Sequence, residues 1–483
     1  MKAVGSRTFW RWMLALGCAA MLLRIANIAY LLHCSARDGI EYYAGADTAS
    51  NIRNAEALFN ARPLAPIFRE RITYPFLLAA VKAAGLEYRD LLWLAAPLEI
   101  PTVLALALLG LLLTRRQAVA ALGAVLYILN PNAFQLSATL MPDWLNGQVM
   151  LMGIAALLHW AQRGLRKSAL AAGGLLLISQ TIRPTLFLII GPLVLLLWKG
   201  FWARERRWGN LLLCAAVLAY PAFNLGLNAR LYGVPNLLLS SGFQLQHCYV
   251  SYVRALERNA AQPGSIAQMY FEEKHRVISS DPREVATDPY GNNPIHPDFA
   301  RNYNGLVAES KAYLVARPGL WLKAGCDSVC RQLFYLPRLA PDARYHGLYP
   351  VSPAWLYRLH NPALFFAFCG VFLLIRRLPW GTTLFFAGCT AIAVLGATAS
   401  WYDTVRVRLL VDLLYAPVIA VGLLSLPAWL GLGGLVAAAY VPRRLFQLPV
   451  AYMQVASTIV LVLAAAFLLR ISGPKPENGG PPA

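Results

Sequence analysis

The stretch DGIEYYAGADTASNIRNAEALFNARPLAPIFRERITYP, residues 38–75, decides how the rest of the chain is read. It lies between two long apolar runs, and it is longer and more charged than a plain connector between membrane helices. Asp38, Glu41 and Asp47 stand close together in it, followed by Glu56 and then by Arg62, Arg69 and Arg71. Carboxylates at a membrane face, then cations, then a Tyr74–Pro75 entry into apolar helix suit an anionic substrate carried on a lipid. Within the stretch, Thr48–Phe59 has the spacing of a short amphipathic helix. Tyr74–Ala84 reads as an apolar helix lying in the interface.

Working outward, the 483 residues are 58% hydrophobic and 14% charged, with a mean hydropathy of +0.50. A soluble domain of this length would not solvate so much apolar surface, so the fold class is an all-α polytopic membrane protein. The formal net charge of +20 sits largely in short links between apolar runs. These are Arg115–Arg116, Arg163/Arg166/Lys167, Lys199/Arg204/Arg206/Arg207, Arg376–Arg377 and Arg443–Arg444. That is the positive-inside pattern, and it assigns the links to the cytoplasmic side. No basic helix interleaved with exposed aromatics occurs, which argues against nucleic acid as a partner.

Lys2, Arg7 and Arg11 precede the run from Trp12 to Leu32, read as a retained first span with the amino terminus inside. The quoted stretch is then an outer loop, taken as residues 34–75. Further spans are expected near 91–113, 117–129, 144–160, 169–182, 185–198 and 210–226. A polar segment over 228–359 follows, with helical patterns at 249–259, 265–278, 298–316 and 319–335. Later spans fall near 361–375, 380–398, 409–426 and 451–469, with 427–440 a further span or a re-entrant helix. The expectation is about eleven transmembrane helices. The division is an N-terminal transmembrane module (1–227), an extracytoplasmic, mainly helical segment (228–359), a C-terminal transmembrane module (360–470) and a disordered tail (471–483). Several runs are short and interrupted by proline, which lipid tolerates where they line a cavity inside the protein.

Eight cysteines are scattered along the chain. Cys18, Cys214, Cys369 and Cys389 fall in expected spans as small hydrophobes. Cys34, Cys248, Cys326 and Cys330 fall on the outer side, where a disulfide is chemically accessible. No zinc spacing occurs. There is no DxD pair, and no Walker A loop to drive transport with ATP.

Asp47, in Ala-Gly-Ala-Asp-Thr-Ala-Ser, has small neighbours that let a substrate approach, and its carboxylate would serve as a general base toward an acceptor hydroxyl. The alternative is that it caps the helix starting at Thr48. Asp38 and Glu41 share this site or are solvated loop charges. Asp143, after Met-Pro at the start of a span, is a second carboxylate for acceptor positioning or metal binding, or another cap. Arg183, in Thr-Ile-Arg-Pro, and Arg406 and Arg408 are outer cations that the positive-inside rule does not explain. Guanidinium matches phosphate bidentately; for Arg406 and Arg408 the alternative is pairing with Asp403 or Asp412.

Taken in order, the Ala-Asp47-Thr-Ala-Ser-Asn-Ile-Arg-Asn-Ala-Glu loop, Arg-x-x-Tyr74-Pro75, Asn130-Pro131 with Met-Pro-Asp143, Ile-Arg183-Pro184 and Arg406-Val-Arg408 resemble the GT-C superfamily of integral-membrane glycosyltransferases. The similarity is to its bacterial dolichyl-phosphate-mannose mannosyltransferase-like branch, over residues 10–200 and 310–425. The resemblance implies a GT-C-like helical fold and an inverting transfer at the outer face of the inner (cytoplasmic) membrane, with the active site facing the periplasm. The donor would be a polyprenyl-phosphate-linked sugar, and the acceptor a hydroxyl of a lipid, glycan or protein. Asp47 matches the catalytic first-loop aspartate, with Glu41 and Asp143 as the other catalytic candidates. Arg69, Arg71, Tyr74, Arg183, Arg406 and Arg408 are the expected substrate-binding residues, the last two near the lipid phosphate. No cofactor is fixed by these residues; a divalent cation is the candidate, since two carboxylates facing one chamber would suit one.

A lipid-linked-sugar flippase or transporter is the rival from another class, and a polysaccharide polymerase would look similar. A flippase predicts charges deep in several spans. The ionisable residues here read as gathered at outer junctions, which favours the enzyme.

Overall fold

The computed structural model describes residues 6–44, 47–62, 64, 69–184, 207–236, 245–277, 297–334 and 404–425, with isolated positions 239, 242, 367, 370, 371, 373, 374 and 382. Every regular element among these residues is helical. Helix α1 runs Arg7–Asp38, capped at its start by Ser6, whose Oγ accepts from Phe9 N at 3.1 Å. It stops at Gly39, whose φ of +66° falls in the left-handed region open to a residue without Cβ. At 1.5 Å per residue α1 is about 48 Å long, well beyond the ~30 Å hydrocarbon thickness. The helix therefore passes the expected end at Leu32, and Asp38 closes it instead of opening a loop.

Helices α2 (Thr48–Phe59) and α3 (Thr73–Ala83) form the quoted stretch, at the positions their spacing predicts. Next come α4 (Tyr88–Thr114), α5 (Gln117–Ile128), α6 (Pro131–Ser137), α7 (Pro142–Arg163), α8 (Arg166–Ile182) and α9 (Arg207–Tyr232). Among the described residues, α1, α4 and α9 are long and apolar enough to cross a membrane. Helix α9 holds Pro221 in its interior and continues past the expected exit at 226 until Gly233, at φ +69°.

These helices run up and down, so their links gather at two ends. Trp160 Nε1 donates to Asn210 Oδ1 at 3.0 Å, joining the end of α7 to the start of α9. That end carries Arg7, Arg115–Arg116, Arg163, Arg166–Lys167 and Arg207. The opposite end carries the quoted stretch, the α5–α7 connection and Arg183. The late helix α14 (Thr404–Ser425) packs on α5, α7 and α4. Lipid removes most of the hydrophobic drive between helices, so close backbone approach matters. A Cβ on Gly123 would lie 3.1 Å from Pro417 Cα of α14, and one on Gly110 would lie 2.7 Å from Ala120 Cα of α5.

The polar segment contains α10 (Ser251–Ala261), entered through a π turn over Leu245–Val250, then α11 (Ile266–Val277), α12 (Pro297–Val315) and α13 (Pro318–Phe334). All four match the helical patterns expected there. Tyr249, Tyr252, Val253, Leu256, Tyr270 and Ala324 make its apolar centre. Tyr252 Oη donates to Asp327 Oδ2 at 3.1 Å, tying α10 to α13.

The spans expected at 185–198, 380–398, 427–440 and 451–469, and the tail 471–483, lie outside the described residues apart from Thr382. So does 361–375 apart from isolated positions. Of the outer-side cysteines, Cys34, Cys248 and Cys326 are free thiols, and Cys34 is buried on a face of α1.

Candidate functional site

The quoted stretch is fastened to the α5–α7 connection through backbone groups. Leu140 N donates to Tyr43 O at 2.8 Å, and Leu140 O accepts from Thr48 Oγ1 at 2.9 Å. One residue of the connection thus holds the chain on both sides of residues 44–47. Asp47 stands just before α2, half-buried, and its side chain makes no capping bond to that helix. Its carbonyl instead accepts from Asn51 N and Asn51 Nδ2, each at 2.9 Å. The capping alternative for the Asp47 carboxylate is therefore corrected: Asn51 anchors the turn through the main chain.

Asp38 and Glu41 make local partners. Asp38 accepts from Arg37 Nε at 2.7 Å, Arg37 Nη2 at 3.0 Å and Tyr42 Oη at 3.0 Å. Glu41 is exposed and accepts from Tyr43 Oη at 3.1 Å. Partial burial, and then the Glu41 contact, push the Tyr43 phenol above its ordinary range.

The turn that Leu140 belongs to leads into α7, where Pro142 takes the first helical position and Asp143 the first turn. Asp143 is buried and forms an ion pair with Arg183, the residue that ends α8. Two expected site residues from separate outer junctions thus meet each other. Nearby, Ser179 Oγ donates to Asn146 Oδ1 at 2.7 Å. Thr73 Oγ1 donates to Thr181 Oγ1 at 2.7 Å, bringing the start of α3 to the same end of α8.

Arg69 links the stretch to α9, and Glu70 links it to the chain just beyond that helix. Arg69 Nη1 donates to Tyr232 Oη at 2.9 Å, and Arg69 O accepts from Tyr220 Oη at 3.3 Å. Glu70, which sequence reasoning passed over between two arginines, is 1% exposed and accepts from Leu239 N. Tyr74 is buried in an apolar cluster with Ile28, Leu78 and Leu140. Arg406 and Arg408 fall in the first two turns of α14, and their side chains lie outside the described residues.

A second polar group sits below this end and was missed entirely. Arg24 of α1 and Glu99 of α4 are 1% and 0% exposed, with Arg24 Nε 3.4 Å from Glu99 Oε1. Glu99 also accepts from Tyr127 Oη at 2.8 Å and Gln148 Nε2 at 3.2 Å. The guanidinium lies 4.9 Å from the ring centre of Phe134, 5.5 Å from Trp144 and 5.9 Å from Tyr127. A desolvated cation gains from such ring faces as well as from its carboxylate. This overturns the expectation that ionisable residues gather only at outer junctions. Arg24 and Glu99 are deep inside the bundle, where each is held by the other's charge.

Among the described residues no three His, Cys, Asp or Glu side chains converge as a metal centre requires. Asp143 is buried and already faces a guanidinium.

No protein-family model matches the chain, and no curated protein matches it. Among solved structures it is similar to the archaeal oligosaccharyltransferase AglB from Archaeoglobus fulgidus, in complex with an inhibitory peptide and a dolichol-phosphate. The overlay has 15% sequence identity and a TM-score of 0.45, covering 95% of this chain and 55% of the archaeal one. The chain therefore spans little more than half the length of that protein.

Proposed function

We propose that this chain is a GT-C-type membrane glycosyltransferase that moves a sugar from a polyprenyl-phosphate-linked donor to an acceptor hydroxyl, with inversion, at the outer face of the inner membrane. Asp47 is the general base in this reading: it takes the acceptor proton as the hydroxyl oxygen attacks the sugar carbon and the lipid phosphate departs. Arg406 and Arg408 receive that phosphate, since planar guanidinium groups match its oxygens. The observation that carries the reading is the fastening of the Asp47 loop to the turn preceding Asp143, through Tyr43, Thr48 and Leu140. That fastening gathers residues distant in sequence at the end of the bundle opposite the basic links.

The flippase alternative draws support from one observation, the buried Arg24–Glu99 pair. The pair is self-neutralising and enclosed by Tyr127, Phe134 and Trp144, which suits a structural post better than a polar path. The test is sugar transfer from a labelled polyprenyl-phosphate sugar in vesicles containing the protein. Product of inverted anomeric configuration is expected. Passage of the intact labelled lipid across the bilayer without transfer would replace the enzyme with a flippase.

A further inference from the structure

At the basic end of the bundle, away from the acidic loop, the packing of α1, α4, α7 and α8 leaves a groove of about 360 Å³. That volume is at the small end for a ligand site. Small side chains create it: Ala105 on α4, Ala155 and Ala156 on α7, and Ala171 on α8. Leu104, Leu108 and Met152 make its apolar wall, and Trp10 of α1 stands at its edge. One part of the lining is different in kind. His159, Lys167 and Ser168 face the same groove, with His159 Nδ1 2.8 Å from Ser168 Oγ. Lys167 is exposed and lies in the first turn of α8, where the helix dipole adds to its charge.

Among the described residues, the surroundings of that polar part carry one sign of charge. Residues 7–16, 110–121, 156–172 and 207–215 hold Arg7, Arg11, Arg115, Arg116, Arg163, Arg166, Lys167 and Arg207, and no Asp or Glu. A site with an apolar trough, an edge tryptophan and an uncompensated cationic mouth is complementary to a molecule with an apolar chain and an anionic head. We propose that this groove holds one acyl chain of an anionic glycerophospholipid of the inner leaflet, its phosphate resting on Lys167 and Ser168 at the start of α8. The site is independent of the proposed transfer chemistry, because it involves none of the residues at the opposite end.

The experiment is native mass spectrometry of the purified full chain in neutral detergent, titrated with phosphatidylglycerol, phosphatidylcholine or a polyprenyl phosphate. Phosphatidylglycerol is expected to bind several-fold more tightly than phosphatidylcholine. Lys167→Ala should cut that preference by about fivefold, the effect of about 1 kcal/mol for one cation near an anionic surface. Ala171→Phe fills the trough from an exposed position and should reduce the binding of both phospholipids. Equal binding of the two by the native chain, or an undiminished preference in Lys167→Ala, would overturn the site. Stoichiometric displacement of phosphatidylglycerol by polyprenyl phosphate would overturn the assigned occupant and make the groove a donor site. Ala171→Ser is the check on folding: it neither fills the trough nor adds a charge, and should bind both phospholipids like the native chain.

Discussion

Arg24 Nε lies 3.4 Å from Glu99 Oε1 with neither side chain reaching the surface, so α1 and α4 share one neutral polar post inside the bundle. Removing one member leaves the other charge buried and uncompensated, which costs about 3–5 kcal/mol, whereas replacing both with apolar residues is often close to neutral. Arg24→Met and Glu99→Leu are each expected to lower the unfolding temperature in detergent sharply, and the double variant to recover most of the loss. Additive losses would show that the two residues act separately.

Asp47 makes no capping bond to α2, so exchanging its carboxylate for an amide should leave that helix unchanged. A general base contributes about 10²–10⁴-fold. Asp47→Asn is therefore expected to insert and extract like the native chain while sugar transfer falls at least about a hundredfold. Glu41→Gln and Asp38→Asn, whose carboxylates serve Tyr43 and Arg37, should be milder. Near-normal transfer by Asp47→Asn, in membranes matched for protein level, would move the search for the base to Glu41 or Asp143.

Asp143 and Arg183 join the outer ends of α7 and α8. Residues in direct contact couple by about 0.5–3 kcal/mol. In a double-mutant cycle of Asp143→Asn and Arg183→Gln, the double variant should be clearly more stable than the sum of the single losses predicts. Arg183→Lys should rescue only partly, lacking the planar fork. A cycle that closes to zero would free Arg183 for a ligand.

The basic links predict topology directly. Reporters fused after Arg116, Lys167 and Arg207 are expected to read cytoplasm, and reporters within 260–310 to read the outside. An outside signal at Arg207 would invert the membrane assignment and place the Asp47 loop in the cytoplasm.

In the polar segment, the Glu257 carboxyl accepts from Tyr313 Oη and, at 2.8 Å, from Arg317 Nε. These contacts hold it below its ordinary range. A carboxyl depressed in the folded state stabilises above its unfolded pKa, and that contribution disappears as pH falls through the folded value. The stability that Glu257→Gln removes should thus be present near neutral pH and vanish in acid. A difference between native chain and variant that persists at low pH would assign the contribution to packing.

The positions of α2, α3 and α10–α13 were legible because amphipathic spacing and proline and glycine punctuation act locally. The Arg24–Glu99 post was not, since one charge in a long apolar window barely moves its mean hydropathy and the partner sits on another helix. Glu70 was hidden differently: between Arg69 and Arg71 it reads as part of a surface charge cluster, whereas its true partner is the backbone of Leu239. Asp143 and Arg183 were each legible as unusual, but only packing of α7 against α8 makes them neighbours. The groove beside Lys167 is made by alanines, which by composition read as ordinary helix.

The two bonds made by Leu140 have a mechanical meaning as well. Because its N–H and C=O bind the chain at Tyr43 and at Thr48, a displacement of the turn before α7 would pull on both points at once. Since the grip uses main-chain atoms except at Thr48, drift in the side chains of residues 43 and 140 would leave it intact, while loss of the Thr48 hydroxyl would leave the Tyr43 bond as the one of the two still holding the turn.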